Sequence, residues 1–292
     1  MLGLSRLFNP LQRKKRDSKL MDAWFQAICD SYAQPPVYLD GVGELPGFPS
    51  DIVQINTTGQ AGIDTLKEAF IFYQDCTEMF QDLGAPIEPH HNLLDFGAGW
   101  GRITRFFLRD LPLQNIYGID VMEKYIQICK DTFRSDNFSV CNPMPPSNIP
   151  DGKMNFIVGY SVFSHLSEKA CAEWMREFHR ILAPGGIVAL TTRGRTFFDA
   201  CEGWKGQPGY LGALSEMFDD FDQARARYDK GEFVHSNAQG VTGGGAMTSS
   251  FYGESFIPKS YAKTAYAEHF TFEEFLFDPA RQSHPIMFFR KK

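Results

Sequence analysis

Glycine recurs at 97, 99 and 101 in the run Asp95-Phe96-Gly97-Ala98-Gly99-Trp100-Gly101-Arg102, which follows an apolar stretch at 92–96 and opens a helical pattern. Lacking a Cβ, such a loop turns sharply and lets the backbone lie against a ligand. A dinucleotide fingerprint would place its third glycine one residue later, where Arg102 stands, so a pyrophosphate has no matched cradle. An acid at the strand end, Asp95, suits a cationic ligand better than a phosphate. A second acid, Asp120, closes the next strand in Tyr117-Gly118-Ile119-Asp120 and is followed by Val121. A carboxylate there accepts hydrogen bonds from both hydroxyls of a ribose. The competing readings are a helix cap at Asp120 and a tight turn without a ligand at the glycines. His165 falls just past the carboxyl end of a further strand, where ligands collect in open α/β sheets. It reads as a general base, or else as a packed histidine bonded to a loop. Tyr160 and Ser161, slightly earlier, line the same region. His235, Tyr252, Glu254 and His269 lie in a poorly patterned region and read as structural or exposed.

These groups need a scaffold, and the hydrophobic period supplies it. Leu66, Ala69, Phe70, Tyr73, Cys76, Thr77 and Phe80 recur at helical spacing and predict a helix over 64–83. Strands are expected at 92–96, 116–121, 138–141, 154–160 and 187–192, with helices at 103–111, 123–133 and 167–183 between them. Such alternation implies a parallel sheet covered on both faces. The helix at 167–183 has Ser167 as N-cap, Glu168 in its first turn and a single apolar stripe from Cys171 to Leu182, and Pro184-Gly185-Gly186 stops it. After Gly194 the alternation ends. Residues 195–250 include a glycine-rich, low-apolar stretch at 240–250, read as a mobile lid or a floppy loop, and residues 50–64 are a second candidate cover. A helix is expected over 257–270, then an antiparallel pair at 270–277 and 285–290. In residues 1–50, Pro35-Pro36, Pro46 and Pro49 break any long helix.

The run Leu94–Arg102 resembles motif I of the class I methyltransferases, and Gly118-Ile119-Asp120 resembles their acidic second motif. Residues 155–166, NFIVGYSVFSHL, are similar to the fourth-strand segment, and residues 182–186 to the L-x-P-G-G before strand five. The wording around Ser161–Leu166 and Tyr252–Pro258 resembles bacterial methyltransferases of glycan and secondary-metabolite pathways. The resemblance implies an α/β Rossmann-like seven-stranded sheet, mostly parallel with an antiparallel last strand and helices on both faces. It implies S-adenosyl-L-methionine as cofactor, held by Asp95, Phe96, Gly97, Ala98, Gly99, Gly101, Arg102, Asp120, Val121, Asn142, Tyr160 and Ser161. Two departures stand out: Asn142 and the 143–146 run occupy the place where an acid often meets the adenine amine, and Asn155 replaces an Asp. The domains expected are 1–85, an N-terminal tail and helical cover, and 86–292, the methyltransferase domain with a substrate-binding insertion at about 195–260. Methyl transfer from a sulfonium depends mostly on positioning. A hydroxyl acceptor on a sugar or secondary metabolite gains from a base, the role assigned to His165. The alternatives are N-methylation of a small amine or protein, and cofactor binding without catalysis. No N/D-P-P-Y-type motif follows strand four, which argues against a nucleobase amine, and Arg102 disfavours a dehydrogenase.

Length and composition set the outer bounds. The 292 residues, 43% hydrophobic with 27 Phe, suffice for one large α/β domain with additions. A net charge of −6 argues against a chain-wide basic surface, so no nucleic-acid partner is expected and a small-molecule acceptor is. The six cysteines form no C-x-x-C pair and no Cys/His cluster, so no metal is expected and a reducing, cytoplasmic setting is. No apolar run reaches the roughly 18 residues of a membrane span, and no signal peptide is visible. Arg13-Lys14-Lys15-Arg16, with Arg6 and Lys19 nearby, reads as a solvated tail in preference to a weak membrane-surface contact. Oligomeric state is not specified.

Overall fold

The computed structural model describes residues 18–292. Seven strands make one sheet: β1 Leu93–Phe96, β2 Ile116–Asp120, β3 Phe138–Val140, β4 Met154–Gly159, β5 Leu182–Thr191, β6 Phe270–Leu276 and β7 Ile286–Lys291. Their spatial order is 3-2-1-4-5-7-6. Strands β1 to β5 pair in parallel, and β7 runs against both its neighbours, β5 and β6. This is the expected seven-stranded sheet with an antiparallel last strand. The chain leaves β1 toward β2 and β3, then returns to lay β4 on the other side of β1. The strand order therefore reverses at β1, and a crevice opens at the carboxyl ends of β1 and β4. All four residues of β1 are buried, as a strand covered on both faces must be.

The helices are α1 Ser18–Ala33, α2 Asp51–Thr58, α3 Ile63–Asp82, α4 Thr104–Phe107, α5 Glu123–Phe133, α6 Glu168–Ile181, α7 Thr196–Gly203, α8 Gly209–Ser215, α9 Phe221–Asp229 and α10 Lys259–Ala265. Helix α6 is capped as its sequence requires, the Ser167 hydroxyl accepting from the Ala170 N–H. Its stripe of Cys171, Trp174, Met175, Phe178 and Ile181 joins a core with Leu94, Phe96, Ile157, Val188 and Leu190. Fully burying each large apolar side chain contributes about 1.5–3 kcal/mol. Three helices are shorter than their patterns suggested. Helix α4 has four residues, not the span 103–111, because the chain beyond it tightens into three-residue turns such as Asp110 N–H to Phe107 O. Helix α6 ends at Ile181, since Pro184 drives the residue before it toward extended backbone. Helix α10 covers only part of 257–270, bounded by Pro258 and Tyr266.

Two compact units are present, one through Gly47 and one spanning Phe48–Lys292. The first contains α1, a sixteen-residue helix that the proline reading of 1–50 missed: the prolines follow it and bound it. Helices α2 and α3 lie in the second unit. The basic cluster at Arg13–Arg16 lies outside the described residues, and Lys19 side-chain placement does too. Among the described residues no helix is long and apolar enough to cross a membrane. Ahead of the glycine-rich 240–250 stretch, the residues after Gly194 carry apolar side chains. Phe198, Cys201, Leu214, Met217, Phe221 and Ala224 build a separate core with Val234 and Phe256, and Phe198 stacks on Phe256 at 3.9 Å. A short antiparallel pair, Val234–Ser236 with Glu254–Phe256, closes this insertion.

Candidate active site

Three glycines shape the loop after β1, each for a different reason. All have left-handed φ: 73° at Gly97, 53° at Gly99 and 80° at Gly101. A Cβ on Gly97 would lie 2.3 Å from Val162 Cγ2, and one on Gly101 2.3 Å from the Phe133 ring. A Cβ on Gly99 would meet nothing within 4 Å, so this glycine faces the open crevice. Four of the loop's N–H groups are already engaged. Gly97 and Ala98 donate to Ile119 O, Gly101 donates to Ala98 O, and Gly99 donates to Asp120 Oδ2 at 2.9 Å. An anion cradle needs free N–H groups, so the loop presents a shaped apolar surface instead of a phosphate site. Phe96 and Ala98 are buried. The Phe96 ring points into the core against Trp174 at 4.5 Å, so only its backbone borders the loop.

The acids divide their duties. Asp95 is 1% exposed, and its Oδ2 accepts from the Thr104 N–H and hydroxyl at 3.0 and 2.7 Å. It starts α4 as much as it faces a ligand. Burial, with nearby Asp120 adding to it, raises its pKa to about 6 against the Thr104 hydrogen bonds. Asp120 accepts from Gly99 through one oxygen and from Met122 N–H, at 2.8 Å, through the other. A carboxylate has about four lone-pair sites, so both oxygens retain capacity for ribose hydroxyls. Burial raises its pKa as well. Val121, half-buried, follows it.

Arg102 turns back toward α3. Its Nη1 donates to Thr65 O, Thr65 Oγ1 and Glu68 Oε2 at 2.9–3.0 Å, and its guanidinium sits 4.9 Å from the Tyr160 ring centre. Burial alone would raise Glu68, but Arg102 outweighs it and holds the acid at about 2. These contacts all use Nη1. Beyond β2 and β3, a cavity of about 270 Å³ is lined by Ile119, Ser139, Cys141, Asn142, Ser147 and Asn148. A cavity near 150 Å³ holds benzene, so this one has room for a purine. The 143–146 run beside it is pinned by Trp174 Nε1–H donating to Pro143 O at 2.9 Å.

Covers reach the loop from two sides. Trp100 Nε1–H donates to Thr57 Oγ1 on α2 at 3.0 Å. A Cβ placed on Gly245 would lie 3.6 Å from Met122 Cε, which brings the 240–250 stretch beside Asp120.

His165 stands where the sequence placed it, past β4, and it is buried. Its Nε2 is 3.3 Å from Ser161 Oγ. Ser161 itself has φ 58°, rare for a non-glycine residue, and its N–H donates to Thr191 Oγ1 at 2.6 Å. The His165 ring lies flat on Tyr252, 4.9 Å between centres and 4° between planes. Its Nδ1 is 2.9 Å from Gly253 O and from Glu254 Oε1. Glu254, read from sequence as structural or exposed, is fully buried beside this ring. Arg193 Nε donates to Glu254 Oε2 at 2.7 Å, and the Tyr210 hydroxyl donates to Oε1. Backbone bonds lace the strand Glu254–Phe256 in place: Gly253 N–H to His165 O, Ser255 N–H to Ser164 O and Arg193 N–H to Ser255 O. Glu254 and Arg193 had no periodicity to mark them; the one signal was Arg193's position just past β5. His235 donates to or accepts from Ser255 Oγ at 2.7 Å, while His269 stacks on His179, away from β4's carboxyl end.

A strand-order reversal, a glycine loop at it and an acid ending the neighbouring strand define an α/β enzyme that binds a nucleoside-containing cofactor. Residues 93–186 match the model of a family described as a methyltransferase domain. Together with the 3-2-1-4-5-7-6 sheet, this match supports a methyltransferase domain that uses S-adenosylmethionine over those residues. Among solved structures, such a methyltransferase from Mesorhizobium loti is 14% identical over 70% of this chain and 93% of its own, with a TM-score of 0.47. One from Methanosarcina mazei is 17% identical over 70% and 93%, with a TM-score of 0.44. One from Aquifex aeolicus is 13% identical over 75% and 89%, with a TM-score of 0.41. No curated protein matches the chain.

Proposed function

We propose that this methyltransferase acts on a hydroxyl group of a small molecule, with His165 as general base. The observation that carries the reading is the imidazole edge at the carboxyl end of β4. Nε2 of His165 stands 3.3 Å from Ser161 Oγ, one residue from Val162, which packs on the glycine loop. Hydroxyl acceptors need a proton removed as the oxygen reacts, whereas an ionised carboxylate acceptor needs no base.

The donor supplies a methyl group already activated on a sulfonium. The residues of this chain hold and shield it. Asp120 receives the ribose hydroxyls, the cavity at Asn142 receives the adenine, and Gly99 lets the ligand lie on the loop backbone. Arg102 and Tyr160 face the amino-acid part. Asp95 contributes mainly by fixing the turn into α4. The insertion at about 195–260 selects the acceptor, and α2 with the 240–250 stretch keeps water from the crevice. Six thiols, five of them buried, suit a cytoplasmic setting.

Calorimetry with S-adenosylmethionine, S-adenosylhomocysteine and NAD tests the donor site. Binding of the first two and not the third is expected, and the reverse would sink the assignment. A screen for S-adenosylhomocysteine release over hydroxylated sugars and small metabolites then finds the acceptor. On it, His165→Ala should lower turnover by about 10²–10⁴-fold while donor affinity holds. A folded variant that keeps most of its turnover would leave positioning as the sole catalytic device.

A further inference from the structure

We propose that Glu254 is the positioning residue of His165: its carboxylate keeps the imidazole proton on Nδ1 and leaves Nε2 to accept a proton from the methyl acceptor. The proposal rests on the reading of His165 as base, but its structural half can be tested apart from it.

The partners of Nδ1 decide the tautomer. Gly253 O and Glu254 Oε1 both lie 2.9 Å from it. A carbonyl and an ionised carboxylate only accept, so the proton between them belongs to the ring. Glu254 remains ionised: burial would raise its pKa, but the charge of Arg193 and the Arg193 hydrogen bond hold it well below the usual carboxylate range. Nε2 of the neutral ring therefore has a free lone pair, directed to Ser161 Oγ. When the acceptor's O–H bond breaks and the Nε2–H bond forms, the new imidazolium sits against a fixed anion, with no proton passed on to Glu254.

The carboxylate is itself held. Oε2 takes the Arg193 Nε–H at 2.7 Å, and the Arg193 guanidinium rests 4.0 Å from the Phe197 ring centre. Arg193 Nη1 is 2.5 Å from His284 Nε2. Burial and Arg193 push His284 down to about 3, so its ring stays neutral and accepts. The titratable and charged groups around the His165 ring are thus Glu254, Tyr252 stacked on it, Arg193, Tyr210, His235 and His284. Tyr210 and Tyr252 are raised above the phenol range by burial and by Glu254, and burial lowers His235. Around neutral pH the only permanent charges of this set are Glu254 and Arg193. A carboxylate present only to neutralise Arg193 would have no need to touch Nδ1.

The test reads the tautomer first. Imidazole nitrogen NMR of the full chain with S-adenosylhomocysteine should show His165 protonated at Nδ1. In Glu254→Gln that preference should weaken. Turnover on the acceptor found by screening should fall roughly 10- to 10³-fold, within the range of an imidazole base and its orienting acid. KM and donor affinity should stay within about twofold of wild type on the same reasoning that the carboxylate touches no ligand, and the acid limb of the pH–rate profile should move to lower pH. Placed on His165→Ala, Glu254→Gln should cost nothing further. An Nε2–H tautomer in the wild type overturns the proposal, as does a Glu254→Gln enzyme with unchanged tautomer and pH profile. If the tautomer result holds but His165→Ala keeps its turnover, the base reading falls and the positioning stands. If Glu254→Gln does not fold, Tyr210→Phe decides. Freed of the tyrosine hydroxyl, Oε1 should pull harder on Nδ1–H and move that proton's resonance downfield; no movement, or an upfield one, overturns the proposal.

Discussion

Exchanging single glycines of the β1 loop for alanine separates binding from folding, because the structure gives the added methyl a different neighbour at each position. At Gly99 the methyl meets nothing within 4 Å, so the cost to the ligand-free protein is only the left-handed backbone, about 1–2 kcal/mol. At Gly101 the same backbone cost is joined by a methyl 2.3 Å from one Phe133 ring atom and 2.7 Å from another. Phe133 is 4% exposed and packed on Phe138, so it has little room to withdraw. Overpacking of this kind adds about 1–3 kcal/mol. Urea unfolding of the ligand-free proteins should therefore rank wild type above Gly99→Ala above Gly101→Ala. Affinity should rank differently. The methyl at 99 projects into the crevice proposed for the donor, and a loss near 100-fold, about 2.8 kcal/mol, is expected. Gly99→Val should abolish binding. Titration with S-adenosylhomocysteine reads this directly. A folded Gly99→Ala protein that binds within threefold of wild type would show that residue 99 does not face the donor. A Gly101→Ala protein as stable as Gly99→Ala would show that the Phe133 contact is not tight.

Asp120→Ala should weaken S-adenosylhomocysteine binding by about 1.5–3 kcal/mol through the lost ribose contact, and calorimetry showing no change would move the ribose elsewhere. Asp95 carries a pH signature: with its folded pKa raised from 3.8 to about 6, the native state binds the proton more tightly than the unfolded chain between those values. Its contribution is therefore most favourable below pH 4 and declines by about 3 kcal/mol as pH rises to 6, at 1.36 kcal/mol per unit. Asp95→Asn should accordingly gain on wild type in urea midpoint between pH 4 and pH 7, and a pH-independent difference would contradict a buried, destabilised carboxylate. Phe198→Ala, at a fully buried ring stacked on Phe256, should cost about 3–5 kcal/mol by thermal or urea unfolding; a cost under 1 kcal/mol would mean the insertion has no core of its own.

The half of the candidate site proposed for the donor was placed from sequence because its residues are close in sequence and tied to periodic elements. The glycines, Asp120 and the strand ends fall within a stretch whose alternation is regular. The half around His165 was legible only in part. His165 could be placed from the end of β4, but Glu254 comes from a segment whose period is broken by Gly253 and Pro258, and its burial depends on a tertiary bridge to Ser164 and His165. Nothing local distinguishes it from an exposed acid. The core of the insertion was missed for a similar reason: Phe198, Leu214 and Phe221 lie on three helices of 7–9 residues, too short to establish a 3.6-residue period. Phe96 stands in the same motif, yet the strand's alternation sends its side chain into the core against Trp174.

Strand β7 follows β6 in the chain, yet lies inside the sheet between β5 and β6. During synthesis β5 thus emerges with Ile187, Val188, Ala189 and Leu190 along an open edge, and nearly a hundred residues must follow before that edge is covered. Unpaired apolar edges recruit other strands, and chains are made at only about 5–20 residues per second. The nascent protein therefore spends seconds with its stickiest strand exposed, and β6 has no neighbour to bind until β7 arrives. Ribosome stalling anywhere between the insertion and β7 would leave a product with a nearly finished donor crevice and a sheet open to aggregation. Expression of this enzyme should consequently respond to translation rate and chaperone supply across residues 195–285 more than to changes in the crevice itself.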